Sequence, residues 1–101
     1  MLFEEGKRYL LDKNYKEALK TFNNSLKHSP NNKDSKYYRA ICYLDSDQTK
    51  KCIQDLSEII EVDPGYNQTV YVVLSIAYRR ENDLNNSLRA VSLFSFNFVV
   101  D

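Results

Sequence analysis

The sequence predicts an all-α fold: three helical hairpins, about six helices, stacked side by side. Three observations carry that expectation. Glycine and proline are scarce, two of each in 101 residues, so the chain has few places to turn sharply and a many-stranded sheet is disfavoured. Apolar residues recur at three, four and seven, the spacing of one helix face. The chain also repeats itself, with Pro30 and Pro64 marking a period of 34 residues.

The elements follow in order. A first helix is expected near residues 2–12, with Leu2, Tyr9 and Leu10 on one face. A break at Asp12 to Asn14 precedes a second near 16–28, where Tyr15, Leu19, Phe22 and Leu26 share a face and Asn14 is the expected cap. Pro30 stands just past its end, where proline stops a helix without breaking one. A third helix near 34–46 carries Tyr38, Ile41 and Leu44, with Ser35 as the expected cap. The fourth, near 49–61, ends before Pro64. The fifth and sixth are expected near 68–81 and 85–97, the latter capped by Asp83. The repeats then run about 1–32, 33–66 and 67–101 within one domain.

Sliding the chain by one period brings Gly6 onto Ala40, Tyr9 onto Tyr43, Ala18 onto Cys52, Phe22 onto Leu56 and Leu26 onto Ile60. With one extra residue near Tyr66 to Asn67, a third pass sets Ser75 on Gly6, Tyr78 on Tyr9, Leu84 on Tyr15, Ser87 on Ala18 and Val91 on Phe22. Small residues meet small ones and large apolar residues meet large ones. Two helices that cross closely need small side chains on both at the crossing point, with bulky neighbours filling the space above and below. Gly6 with Ala18, Ala40 with Cys52, and Ser75 with Ser87 are the expected crossings.

In these features the chain resembles the tetratricopeptide repeat family. GKRYLLDKNYKEALKTFNNSLKHSPNN follows the family pattern along nearly its whole length, YYRAICY through VDPGY follows it well, and LSIAYRRENDLNNSLRAV is a degenerate third copy. Ile59 and Phe94 are bulky where the family prefers alanine, and the third copy ends in SFNFVVD without proline. The resemblance implies a right-handed α-solenoid whose first helices line a groove that holds a peptide or helix of a partner protein. Carried over by position, the groove residues are Phe3, Lys7, Leu10, Leu11, Tyr37, Tyr38, Ile41, Leu44, Val72, Val73, Ile76, Arg79 and Arg80. That is an apolar row for a solvated surface, and exposed apolar faces mark interaction sites. The family's clamp for a two-carboxylate chaperone tail is not matched. Phe3, Lys7, Tyr38, Thr69 and Val73 stand where its lysines, asparagines and arginine belong.

Composition narrows the function classes. Fourteen basic and fourteen acidic residues balance to zero, without the basic excess of a nucleic-acid binder. No apolar run reaches the ~18–20 residues that span a bilayer, and charges within the first five residues do not suit a secretory signal. Cys42 and Cys52 are too few for a disulfide framework, so an intracellular, cytoplasmic location is expected. Catalysis needs a constellation, and none is legible. His28 is the single histidine and sits at a helix end, two cysteines do not complete a zinc site, and two glycines do not make a phosphate loop. No cofactor, metal or catalytic residue is expected. One feature stands apart: Leu93, Phe94, Phe96, Phe98, Val99 and Val100 crowd the C-terminal end. A terminal repeat usually shows a polar outer face. This end therefore points to stacking on further repeats of a larger scaffold, docking on a partner, or self-association.

Overall fold

The structure, a computed structural model, describes residues 2–98, with side-chain surroundings for residues 3–95. Val99 and Val100 lie outside the described residues, as do the side chains of Phe96 and Phe98. Six helices follow one another: α1 (Leu2–Leu11), α2 (Tyr15–His28), α3 (Lys33–Asp45), α4 (Thr49–Val62), α5 (Gln68–Arg80) and α6 (Leu84–Phe98). No strand occurs among the described residues. Each helix packs on the next, most extensively as the hairpins α1–α2, α3–α4 and α5–α6.

The turn inside each hairpin is the same and uses no glycine. Lys13, Asp47 and Asn82 adopt left-handed backbone, with φ of 60°, 64° and 60°. In the first hairpin Lys13 N donates to Leu10 O at 2.9 Å and Asn14 N to Tyr9 O at 2.8 Å. Asp47 and Gln48 bond back to Leu44 and Tyr43 in the same way, and Asn82 and Asp83 to Arg79 and Tyr78. These paired bonds close the last turn of α1, α3 and α5 and satisfy carbonyls the helix leaves open. A side chain in left-handed backbone is strained, and glycine is not. Lys13→Gly is therefore expected to stabilise the fold by about 0.5–1 kcal/mol, read as a rise in the midpoint of thermal unfolding. A fall would mean that Lys13 contributes something other than its backbone angle.

Two of the expected caps hold. Asn14 Oδ1 accepts from Glu17 N at 3.4 Å, and Asp83 Oδ1 accepts from Asn86 N at 3.2 Å. The hydrogen bonds from the Asn86 side chain and backbone hold the Asp83 carboxyl below its ordinary pKa. Ser35 is not a cap: Asn32 takes that role, accepting from Ser35 N at 3.1 Å. The Ser35 side chain is fully buried instead, its hydroxyl 2.7 Å from that of Ser25 on α2. A serine beside a helix start reads as a cap in one dimension; here the asparagine three residues earlier has the better reach.

The small residues lie where the helices cross. A Cβ on Gly6 would fall 2.6 Å from the Phe22 ring, so α1 approaches α2 too closely for any side chain there. Ala40 and Cys52 are both fully buried in one core cluster with Leu56, Val70 and Leu74. In the third hairpin the Ser75 and Ser87 hydroxyls stand 3.1 Å apart, and Ser87 Oγ donates to Ser75 O at 3.0 Å. Hydroxyl pairing satisfies groups that alanine would not carry. Ile59 is buried within the second hairpin's core.

The hairpins are also tied to one another. Arg39 of α3 forms a bidentate pair with Asp55 of α4, Nε to Oδ2 at 2.8 Å and Nη2 to Oδ1 at 2.6 Å. Its remaining nitrogen donates to Asn23 Oδ1 of α2 at 2.9 Å. Tyr66, in the linker before α5, donates to Asp34 and packs edge-on against Tyr37 with ring centroids 6.0 Å apart. Lys33 pairs with Asp63 at 2.9 Å beneath the Tyr66 ring. The Arg80 guanidinium donates to Leu44 O at 3.1 Å, fastening α5 to the end of α3.

Candidate functional site

The first helices of the hairpins form one wall. α1 lies against α3 and α3 against α5, whereas α2, α4 and α6 do not approach one another as closely among the described residues. A stack whose first helices converge while its second helices splay is concave on the first-helix side.

At one end of this inner wall, Phe3 meets Tyr38 edge-on with centroids 5.4 Å apart. Tyr38 stacks in turn on Phe22 at 6.3 Å and 19°. Lys7 Nζ sits 5.4 Å from the Phe3 ring and 5.3 Å from the Tyr38 ring, a cation held over two aromatic faces. Leu10 and Ile41 are half-buried beside them, and Leu11 is exposed. At the other end Val72 and Ile76 are 47% and 37% exposed, followed by exposed Arg79 and Arg80.

Tyr37, Leu44 and Val73 sit elsewhere. They are 7%, 7% and 9% exposed and belong to the core between the second and third hairpins. The repeat explains the difference. Tyr37, Ile41 and Leu44 of α3 correspond to Val72, Ile76 and Arg79 of α5. Tyr37 and Leu44 pack in one cluster with α5 residues, whereas the corresponding Val72 and Arg79 are exposed among the described residues. Of the groove residues expected from the sequence, Phe3, Lys7, Leu10, Tyr38 and Ile41 are half-buried, and Leu11, Val72, Ile76, Arg79 and Arg80 are exposed. Sequence spacing did not show that Arg80 is already engaged with Leu44 O; no single-helix pattern carries that contact.

Neither thiol is poised for chemistry. Burial pushes the Cys42 thiol up to about 11 and the Cys52 thiol up to about 12, with nearby carboxylates adding to the effect. At neutral pH both are protonated and so poor nucleophiles. His28 places Nδ1 2.9 Å from Asn24 O at the end of α2. No group of three or more metal-ligating side chains gathers among the described residues. None of the described helices is long and apolar enough to cross a membrane.

Comparison with known proteins decides the family. The tetratricopeptide repeat family model matches residues 9–71, more than half of the sequence. The chain belongs to the tetratricopeptide repeat family. Human sperm-associated antigen 1 is 38% identical to it over 72 residues, which cover 69% of this chain and 8% of that protein. The chain thus spans less than a tenth of this relative's length. The tetratricopeptide repeat match ends at Tyr71, before the Ser75–Ser87 crossing of the third hairpin. That hairpin keeps the close crossing of the other two with hydroxyls in place of glycine, alanine and cysteine.

Proposed function

We propose that this tetratricopeptide repeat chain is a non-catalytic binding module that holds a peptide or helix of a partner protein against its inner wall. The observation that supports the reading is the accessible row on α1, α3 and α5. Aromatic and aliphatic side chains alternate there with Lys7 and Arg79, on rigid helices that need no reordering to receive a ligand. Aromatic and arginine side chains dominate interface energies. Apolar contacts would supply most of the affinity, and the cations favour a ligand with acidic residues near its ends.

The test uses a peptide selected against the full chain from a random display library. Replacing Val72 and Ile76 together by Ala is expected to weaken binding about tenfold, with helicity unchanged because both side chains already reach solvent. Undiminished affinity would remove the inner wall from the account. A second reading, a structural segment of a larger repeat scaffold, is favoured by one fact: the chain corresponds to only 8% of the relative it resembles. In that reading the inner wall still binds, but as part of a longer surface.

A further inference from the structure

On the outer side of the stack, two clefts open at equivalent repeat positions. One is lined by Arg39, Tyr43, Lys51, Gln54, Asp55 and Glu58 of the second hairpin. The residues at the same positions of the third hairpin are Leu74, Tyr78, Asn86, Arg89, Ala90 and Leu93. All of them line the other cleft, which Ser57 and Ile60 of α4 complete.

The clefts differ in what fills them. In the second hairpin the Arg39 guanidinium is paired with Asp55 and bonded to Asn23 of α2. Glu58 there is paired with Lys36 at 3.1 Å, and Lys51 rests 5.6 Å from the Tyr43 ring centroid. In the third hairpin Leu74 and Ala90 replace that arginine and aspartate, and Leu93 replaces the glutamate. The cleft left behind has a volume of about 270 Å³ and no carboxylate in its lining. Leu74 and Ala90 form its buried floor, with Ile60 and Tyr78 half-buried at its sides. Its one charge is Arg89, which is exposed and makes no ion pair among the described residues. α6 carries no acid, and Asp83, bonded by the Asn86 amide at 2.8 Å, is committed to the cap before it.

Size and charge together define an occupant. Sites for drug-sized ligands have volumes of roughly 300–1,000 Å³, so this smaller cleft suits one large side chain. The apolar floor favours leucine or phenylalanine. The uncompensated guanidinium beside it favours a carboxylate, which it can hold with two parallel hydrogen bonds.

We propose that the cleft between α4 and α6 is a second docking site, for a leucine or phenylalanine next to an acidic residue in a segment of a partner protein. None of its lining residues belongs to the inner wall, so both surfaces can be engaged at once. Its opening does not depend on the ends of the chain, because the equivalent cleft is open with a hairpin on either side.

Titration of the full chain with acetyl-Phe-Glu-amide, followed by amide chemical shifts, tests this. The expected result is saturable change around Ile60, Tyr78, Arg89 and Ala90, with a Kd of about 1 mM for so small a probe. Acetyl-Phe-Gln-amide should bind about fivefold more weakly, as should the first probe to Arg89→Gln, whose exposed side chain the fold does not need. Leu74→Arg combined with Ala90→Asp copies the second hairpin's ion pair into the cleft and should abolish binding. If that variant loses its helical signal, Arg89→Gln decides alone. Equal affinity for the two probes, wild-type binding by Arg89→Gln, changes confined to the inner wall, or no change at all overturns the proposal.

Discussion

Phe22→Ala is expected to lower the unfolding free energy by about 3–5 kcal/mol, measured by urea denaturation followed by circular dichroism. The ring is fully buried in the first hairpin. It occupies the space Gly6 leaves open on α1, with a hypothetical Cβ there falling 2.6 Å away. It also lies under the inner wall, stacked on Tyr38 and edge-on to Phe3 with centroids 6.3 Å apart in both cases. Removing it empties the seam between α1 and α2, and neither helix can close the gap without moving Phe3, Tyr38 and the Lys7 ammonium held above them. A small domain commonly has only about 5–15 kcal/mol of stability in all, so the variant should be close to unfolded at room temperature. A loss below about 1 kcal/mol would show that the ring is not packed as described.

Arg39→Ala is expected to cost nearly as much, about 3–5 kcal/mol, and more than Asp55→Ala. The asymmetry follows from exposure: the Asp55 side chain is 4% exposed and the Arg39 side chain 21%. Without Arg39 the carboxylate stays buried with no cation beside it. Without Asp55 the guanidinium retains Asn23 and can turn toward water. Because the pair joins α3 to α4 while Asn23 brings in α2, the loss should also reduce cooperativity between the first and second hairpins. Denaturation of both variants by urea checks the order; equal or inverted costs would mean that Asp55 is reached by water despite its burial.

Much of this fold was legible in the sequence. The helix boundaries follow from apolar spacing and the two prolines, each expected end lying within one residue of the observed one. Gly6, Ala18, Ala40, Cys52, Ser75 and Ser87 mark the crossings because close approach demands small atoms, and that demand survives changes of residue type. The turns were less legible. Lys13, Asp47 and Asn82 take the backbone usually given to glycine, and nothing in their identity announces it except their recurrence at one repeat position. The inner wall was legible in outline only. Tyr37, Leu44 and Val73 share a helix face with accessible residues, but whether a neighbouring first helix covers them depends on the stacking of hairpins. The Arg39–Asp55 pair was invisible for the same reason: sixteen residues separate its partners, on different helices.

The most direct test of the central claim is a map of amide chemical-shift changes when the display-selected peptide is titrated into the full chain. The account predicts that the changes gather on α1, α3 and α5, around Phe3, Lys7, Tyr38, Ile41, Val72 and Ile76. Changes gathered on α2 and α4, with the inner row unmoved, would contradict it.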